Sequence, residues 1–277
     1  MNENVQRAVT LAKRNLVDSI WKSAVIEGLG TTFQKTEAIL DGMIVNTNSQ
    51  EVLFIINMRS AWYFLFNTLG VENNLAMLRE LNKICGVNLI YGSGDLRVSD
   101  VSIGGCTYVP PIPVYADVVQ ELKRLASINS PVERAIETFC YVAKHQLFID
   151  GNKRVAQLIC NKILIENGIG ILSIDSKCIS DFKYYLVEYY DDDDSKKDLL
   201  SSFLKDSILY TAHSRVTKEM DLFEAHTEEY KRKVINLCEQ IGINSEDDKL
   251  KVLRELPSED TEDEDILRKR IVSIVLR

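Results

Sequence analysis

Residues 150–154 gather a carboxylate, a glycine, an amide and two cations in five consecutive positions, Asp150-Gly151-Asn152-Lys153-Arg154. Asp150 can ligate a hard cation such as Mg²⁺, which prefers one or two carboxylates together with phosphate oxygens. Gly151 permits a close backbone approach to an anion, and Asn152 is a good N-cap for a helix whose N–H groups face the ligand. Arg154 can donate two parallel hydrogen bonds to phosphate oxygens, and Lys153 adds a point charge. The run predicts a site for a polyphosphate and its metal.

Two helices are expected to position this run. The first, 131–147, begins with Ser130-Pro131-Val132-Glu133, which supplies an N-cap, a proline at the first helical position and a capping-box glutamate. Its apolar residues recur at the spacing of one buried stripe: Ala135, Ile136, Phe139, Val142 and Ala143. The second helix, 152–167, leaves the loop and stops at Asn167-Gly168.

Helix geometry distinguishes the two residues that precede the loop. Gln146 follows Val142 by four positions and Phe139 by seven, so it continues the buried stripe, whereas His145 lies about 100° away. An unbroken helix therefore directs Gln146 towards the loop. A one-residue bulge at the helix end would bring in His145 instead, and we favour Gln146.

The run from His145 to Gln157 resembles the signature loop of the Fic (Fido) family, His-x-Phe-x-Asp/Glu-Gly-Asn-Gly/Lys-Arg-x-x-Arg. Six positions match, namely Phe148, Asp150, Gly151, Asn152, Lys153 and Arg154. Gln146 stands at the histidine position and Gln157 at the second arginine position, while the nearest histidine, His145, is one residue early. In the family that histidine is the general base for the target hydroxyl. The resemblance implies catalytic positions at Gln146 and His145, Mg²⁺ on Asp150, and ATP on Gly151, Asn152, Lys153, Arg154 and Gln157.

A second resemblance lies near the N-terminus, where residues 4–27 predict one helix that ends at Gly28 and Gly30. Glu27 is at the wrong end for the helix dipole, a cost of a few tenths of a kcal/mol. Ser23 and Glu27 fit the Fic inhibitory motif, Ser/Thr-x-x-x-Glu-Gly/Asn. In the self-inhibited subclass the glutamate engages the second arginine and blocks seating of the γ-phosphate. Here we expect Glu27 to contact Gln157 or Arg154.

Residues 92–105 are predicted to form a β-hairpin, because two glycine-rich turns flank a partly alternating segment. Arg97, Val101, Ile103, Gly104 and Gly105 resemble the Fic flap, which is followed by a Pro-Pro element, here Pro110-Pro111. The resemblance implies that Val101, Ser102 and Ile103 dock a target protein in an extended register, as in strand addition.

The expected architecture is mainly α, a Fic/Fido fold with a helical core, a small β-hairpin flap and a helical C-terminal extension. We predict N-terminal helices with the inhibitory motif at 1–45, a Fic domain at 46–212 and an acidic helical extension at 213–277. Helices are expected at 177–190 and 196–211. The four carboxylates of Asp191–Asp194 between them are interpreted as a solvated turn, because consecutive side chains on a loop do not converge on a metal.

Composition limits the setting and the partners. A net charge of −8 argues against nucleic acid and anionic membranes, and no apolar run approaches the ~20 residues of a membrane span. The six cysteines are scattered without a Cys-x-x-Cys pair, and no signal peptide is evident, so we expect reduced thiols in a cytoplasm, in keeping with a bacterial protein. A homodimer is considered, and the acidic extension is a candidate partner-docking region.

Three functions are compatible with this sequence. The resemblance implies transfer of AMP from ATP to a Ser, Thr or Tyr hydroxyl of a target protein. Lys153 and the missing second arginine also resemble the Doc relatives, which transfer the terminal phosphate. The third alternative is a nucleotide-binding interaction protein, because a glutamine cannot act as a base near pH 7 and loss of a base costs roughly 10²–10⁴ in rate.

Overall fold

The computed structural model describes residues 2–191, 196–212, 214, 228–256 and 264–275. The chain divides into two compact units, Met1–Thr211 and Ala212–Arg277. Both are mainly helical, as the sequence predicts. The three-domain division inferred from the sequence stays a prediction.

The first unit consists of helices and one pair of short strands. In chain order they are α1 (Glu3–Arg14), α2 (Leu16–Ile26), α3 (Phe33–Leu40), α4 (Ser49–Asn67), α5 (Leu75–Gly86), α6 (Tyr115–Ala126), α7 (Pro131–His145), α8 (Asn152–Glu166), β1 (Gly170–Leu172), a 3₁₀ turn (Ser176–Cys178), α9 (Ile179–Asp191), α10 (Lys197–Asp206) and β2 (Ile208–Tyr210).

Helices α7 and α8 form the centre of this unit and share its largest helix–helix interface. The stripe predicted for α7 is buried along its whole length. Helix α7 begins as its sequence indicates, because Ser130 Oγ accepts the Glu133 backbone N–H at 3.3 Å and Pro131 is its first residue. Around this pair pack α4, α5 and the strand β1. The loop between α7 and α8 is therefore held on a rigid support.

The predicted N-terminal helix is wrong in one respect, since it is broken at Asn15. Asn15 leaves helical geometry with φ −99° and ψ 12°, and its side-chain Nδ2 donates to the Leu11 carbonyl at 2.9 Å. Asparagine offers the backbone an alternative to the helical bond in this way. The break separates α1 from α2, so the Ser23–Glu27 segment lies on a helix of its own.

The predicted β-hairpin at 92–105 is also wrong. Residues 92–111, all of them described, contain no strand. Side chains tie this segment down instead: the Arg97 guanidinium donates to the carbonyls of Ser99, Pro110 and Pro111. We call residues 97–111 the flap. They form an extended loop and not a pair of hydrogen-bonded strands.

The two strands lie outside the predicted hairpin. Strand β1 pairs antiparallel with β2, with Gly170 opposite Tyr210 and Leu172 opposite Ile208. The helix predicted over 196–211 is α10, which ends at Asp206 and gives way to β2. The backbones approach so closely that a Cβ at Gly170 would lie 2.1 Å from the Leu209 carbonyl oxygen. Only glycine fits at that position.

The second unit contains α11 (Glu228–Gln240), α12 (Glu246–Glu255) and α13 (Glu264–Val275). They enclose a small apolar core of their own: Val234, Leu237, Cys238, Val252, Leu253, Leu256, Leu267, Ile271 and Ile274. None of the helices in the described part of the chain combines the length and the apolar character needed to cross a membrane.

Candidate active site

A cavity of about 410 Å³ opens between the end of α2, the flap, the α7–α8 loop and α9. Its volume is in the range of small-molecule sites, ~300–1,000 Å³. The residues that line it include most of the predicted site: Glu27 and Gly28, Ser102 to Gly104, Gln146, Asp150 to Lys153, and Phe182, Lys183, Leu186, Val187 and Tyr190 of α9. Segments far apart in sequence therefore meet at one place.

Helix α7 ends because Gln146 adopts the left-handed conformation, with φ 45° and ψ 61°. A left-handed residue is a usual helix stop, but outside glycine it carries strain of order 1–3 kcal/mol. Arg97 holds the conformation in place, since its Nε donates to the Gln146 carbonyl at 2.5 Å and its backbone N–H to the Leu147 carbonyl at 3.0 Å. A guanidinium at a helix C-terminus also complements the helix dipole.

The Gln146 side chain is engaged at both polar atoms. Its Nε2 donates to the Ala143 carbonyl at 2.6 Å, and its Oε1 accepts from Nδ2 of Asn152 at 3.0 Å. The same Asn152 side chain accepts from the Phe148 backbone N–H and donates to the Phe148 carbonyl. Gln146 therefore faces the loop and fixes its shape, as expected, although it does so from a left-handed residue at the helix end and not from an unbroken helix.

His145 points elsewhere. Its Nδ1 lies 3.0 Å from the Tyr141 carbonyl oxygen, and its ring packs on the Tyr141 ring with centroids 4.3 Å apart. Burial lowers the pKa of His145 below its ordinary 6.5, which favours the neutral imidazole near pH 7. His145 does not line the cavity, so the two predicted catalytic positions are not brought together.

The residue that caps α8 differs from the prediction. Asn152 was expected at the N-cap, but Gly151 occupies that position, with φ 83°. The left-handed angle favours glycine, and a Cβ there would lie 3.0 Å from Nδ2 of Asn82. Asp150 Oδ1 accepts the Gly151 backbone N–H at 2.6 Å. Asn152 is then free to close the loop from the first turn of α8.

Arg154 does not reach the cavity, in contrast to its predicted role as a phosphate fork. Its side chain is only 5% exposed. One Nη donates to Oδ2 of Asp150 at 3.0 Å, another to the Cys85 carbonyl at 3.3 Å, and the guanidinium lies 5.4 Å from the centre of the Phe54 ring. Residue 154 follows residue 150 by four positions, so the ion pair forms within the motif. Arg154 orients Asp150 in this structure.

Asp150 fits the role of a metal ligand. Its side chain is 62% exposed and lines the cavity. Each carboxylate oxygen has two lone pairs, so the bonds from Gly151 and Arg154 leave acceptor capacity for a cation. Within the described residues, no three His, Cys, Asp or Glu side chains converge on one metal position. That is compatible with Mg²⁺, which relies on one or two carboxylates and on substrate phosphates.

The predicted inhibitory residues contact α8, but through partners that differ from those predicted. Glu27 Oε2 lies 3.4 Å from Nζ of Lys153, not beside Gln157 or Arg154. Ser23 Oγ donates to Oε1 of Gln157 at 2.9 Å. Residues 23 and 27 are one turn apart on α2, and 157 and 153 are one turn apart on α8, so the two helices meet with antiparallel pairing. Glu27 consequently meets the first turn of α8, and Ser23 the second.

Two polar atoms in the cavity wall are unpaired. Glu27 Oε1 and the Tyr190 hydroxyl are buried and have no hydrogen-bond partner among the residues that the structure describes. Burial raises the pKa of Tyr190, and the Glu27 charge raises it further. Tyr190 is therefore a neutral phenol that can donate or accept one hydrogen bond. A ligand in this cavity meets a carboxylate, an ammonium and a phenol.

The flap contributes unequally to the cavity. Ser102 and Ile103 line it, whereas Val101 does not. Asp191 anchors the distal part: its Oδ1 accepts from the backbone N–H groups of Thr107 at 2.7 Å and Tyr108 at 3.1 Å. Asp191 is exposed, as the interpretation of a solvated segment requires, but it is the last residue of α9 rather than part of a turn. The remaining carboxylates of the run, 192–194, lie outside the described residues.

Asn82 was missed by the sequence reasoning. This fully buried residue of α5 donates from Nδ2 to the Asp150 carbonyl at 2.8 Å and accepts the Gly94 backbone N–H at 2.8 Å. It joins the base of the α7–α8 loop to the segment that leads into the flap. An isolated asparagine in an amphipathic helix gave no signal for this role, because both partners are distant in sequence.

Comparisons with known proteins agree with this geometry. A family model described as Fic/DOC family matches residues 74–164, which include α5, the flap and the α7–α8 loop. The match covers about a third of the chain, and these residues are similar to a Fic/DOC family domain. Over 164 residues it is 29% identical to a Caenorhabditis briggsae protein named Protein adenylyltransferase fic-1, covering 54% of this chain and 32% of the relative. The chain thus spans about a third of that relative.

Solved structures place the fold in the same group. Fic-1 from C. elegans aligns with a TM-score of 0.59 at 20% identity, covering 75% of this chain and 63% of that chain. A Fic family protein from Desulfovibrio desulfuricans G20 aligns with a TM-score of 0.57 at 16% identity, covering 88% of this chain and 86% of that chain. A Fic domain containing signaling protein from Bacteroides thetaiotaomicron aligns with a TM-score of 0.59 at 19% identity, covering 73% of this chain and 87% of that chain. At these identities the matches establish the Fic fold.

Proposed function

We propose that this chain binds ATP with Mg²⁺ in the 410 Å³ cavity and transfers AMP to a hydroxyl side chain of a target protein, under restraint by Glu27. One observation carries the proposal. In a Fic domain, Asp150, Lys153 and Glu27 line a single cavity together with the flap. The adenylyltransferase name of the C. briggsae relative supports AMP as the transferred group.

The roles follow from the side chains that line the cavity. Asp150, oriented by Arg154, is the carboxylate that would hold Mg²⁺, which supplies charge compensation for the phosphates. Lys153 offers a cation, and the first turn of α8 offers backbone N–H groups that lack intrahelical partners. Ser102 and Ile103 of the flap are assigned to the target segment. An amide does not accept a proton near pH 7, so Gln146 is assigned to positioning rather than to general-base catalysis.

Restraint by Glu27 has a simple electrostatic basis. The carboxylate pairs with Lys153 and places a negative charge in the cavity where phosphates are proposed to bind. A polyphosphate has to compete with Glu27 for the same ammonium. In this proposal the partner of Glu27 is Lys153, and Gln157 contributes only through Ser23.

The experiment combines binding and transfer. Native chain, Glu27→Gly and Asp150→Asn are titrated with ATP and Mg²⁺ by calorimetry, then incubated with a protein extract and ATP labelled at either the α- or the γ-phosphate. We expect binding that Glu27→Gly strengthens and Asp150→Asn weakens, and protein labelling from the α-phosphate only. Labelling from the γ-phosphate only contradicts AMP transfer. Lack of Mg²⁺-dependent ATP binding contradicts the whole proposal.

A second candidate, a nucleotide-binding interaction protein, is favoured by the engagement of both polar atoms of Gln146. It predicts ATP binding without labelling from either phosphate, in the native chain and in Glu27→Gly. Adding His145→Ala to Glu27→Gly tests the remaining base. Because His145 faces Tyr141 rather than the cavity, we expect this addition to leave any labelling unchanged.

A further inference from the structure

A second, much smaller cavity lies between α2, α4 and α8, behind the Ser23–Gln157 contact. Its volume is about 20 Å³. Helix α2 contributes Ser19 and Ser23, α4 contributes Trp62, and α8 contributes Gln157. It is distinct from the 410 Å³ cavity, because Glu27, Asp150 and Lys153 do not line it.

Three polar atoms at this cavity are buried and unpaired. Ser19 Oγ, Trp62 Nε1 and Gln157 Nε2 have no hydrogen-bond partner in the described part of the chain. The three residues are only 9%, 2% and 8% exposed. Leaving such groups unpaired costs about 1–3 kcal/mol each, and buried polar groups are nearly always satisfied by protein or water. Three of them at one small cavity indicate a shared partner.

The volume and the charges identify that partner. A cavity needs roughly 10–15 Å³ to hold one water, and the water needs two to four polar neighbours. Two of the three groups are N–H donors, which disfavours a metal cation. An anion would need a compensating charge, and the one ammonium that lines the cavity, Lys22, already pairs with Asp18 at 2.7 Å. The volume and the lining groups of the cavity therefore suit a neutral molecule with one heavy atom.

We propose that one buried water occupies this cavity, accepting hydrogen bonds from Trp62 Nε1 and Gln157 Nε2 and donating one to Ser19 Oγ. Gln157 then has both ends of its amide satisfied by α2, directly through Ser23 and through water by Ser19. The water makes Gln157 a neutral connector between α2 and α8, at a position where the Fic signature carries a charged side chain. This hydration site does not depend on nucleotide binding or transfer.

The direct test uses the two tryptophans of the chain as site and control. Trp21 Nε1 donates to the Thr31 carbonyl at 3.3 Å, so its indole proton has a protein partner. In ¹⁵N-labelled protein, we expect a cross-peak between the Trp62 indole proton and a slowly exchanging water, and none for Trp21. The variant Trp62→Phe assigns the two indole signals.

The second test distinguishes a hydrated cavity from a dry one by the sign of a stability change. If the cavity is dry, Ser19→Ala removes an unpaired buried hydroxyl and raises the Tm. If it is hydrated, the variant loses a hydrogen bond and lowers the Tm by about 2–4 °C. Ser202→Ala, at an exposed position of α10, controls for the gain in helix propensity. A missing Trp62 cross-peak, or a Tm for Ser19→Ala above that of Ser202→Ala, overturns the proposal.

Discussion

Oε2 of Glu27 lies 3.4 Å from Nζ of Lys153, which joins the C-cap of α2 to the first turn of α8. The ion pair is partly shielded, since the Lys153 side chain is 33% exposed and that of Glu27 17%. It lies at the wall of the cavity that also contains Asp150 and Gln146. In the proposed function, the same ammonium serves the inhibitory carboxylate and the phosphates, so occupancy by one excludes the other.

Glu27→Gln is expected to strengthen binding of ATP with Mg²⁺ by roughly five- to ten-fold. The amide keeps the shape of the side chain but removes a charge pair worth about 1 kcal/mol, together with its repulsion of phosphate. Calorimetric titration measures the change. Glu37→Gln, at an exposed glutamate of α3, is the matched control and should bind as the native chain does. Equal affinities of the two variants for ATP with Mg²⁺ would contradict competition between Glu27 and phosphate for Lys153.

Gln146→His is expected to increase AMP transfer by roughly 10²–10⁴ when introduced into Glu27→Gly, because it supplies a proton acceptor at the loop. Histidine tolerates the left-handed backbone of residue 146 better than most side chains. The rate of labelling from the α-phosphate is the readout, with unfolding curves to verify that the variant is folded. A folded variant with no gain contradicts the catalytic position that the Fic resemblance implies at residue 146.

The buried ammonium of Lys162 provides a test of the fold. Lys162 is fully buried in α8, where it pairs with Glu166 and donates to the Val71 carbonyl at 2.7 Å and Asn73 Oδ1 at 2.9 Å. Glu166→Gln leaves that charge uncompensated and is expected to lower the free energy of unfolding by about 3–5 kcal/mol. Denaturant titration followed by tryptophan fluorescence measures the loss.

The control for Glu166→Gln is Glu121→Gln. Glu121 pairs with Arg124 on α6, where the side chains are 31% and 56% exposed, so its removal should cost no more than about 1 kcal/mol. Similar losses in the two variants would show that the Lys162 network contributes no more than a surface pair.

Asp191 is expected to hold the flap in a pH-dependent manner. The backbone N–H of Thr107, with lesser help from its hydroxyl and from the Tyr108 N–H, lowers the pKa of Asp191 below its ordinary 3.8. A lowered folded-state pKa means that the contribution is complete above the ordinary value and is lost as the pH falls through the lowered one. The Thr107 amide resonance should therefore titrate with a midpoint below 3.8.

Asp191→Asn should abolish that titration and speed hydrogen exchange at Thr107 and Tyr108 at neutral pH, because the amide is a weaker acceptor. Asp181→Asn, an exposed position on the same helix, should leave both amides unchanged. Unaltered exchange in Asp191→Asn would mean that the flap is held by Arg97 alone.

The predictions from sequence succeeded where the signal was local. The buried stripe of α7 follows from helical periodicity. Gln146 faces the loop, as expected, but from a left-handed residue that the periodicity did not predict. The Fic resemblance of the loop predicted the fold that the comparisons establish. Each of these depends on residues within a few turns of one another.

The errors arose where distant segments choose between several partners. Two partners on α8 were expected for Glu27, Gln157 and Arg154, and the packing of α2 against α8 brings it to Lys153 instead. Arg154 could reach phosphate or Asp150, and the choice depends on burial beside Phe54 and Cys85. The flap alternates like a strand but lacks a partner strand, because Arg97 and Asp191 bind its backbone instead. Sequence spacing does not encode these contacts.

The attachment of the flap has an evolutionary consequence. Arg97 and Asp191 hold it near its two ends, while Ser102 to Gly104 reach the cavity without a strand register to maintain. Substitutions, and even changes of length, between the two anchors leave the α7–α8 support untouched. In the proposed function, where Ser102 and Ile103 contact the target, such changes alter which target proteins are recognised and leave the proposed phosphate-binding residues unchanged.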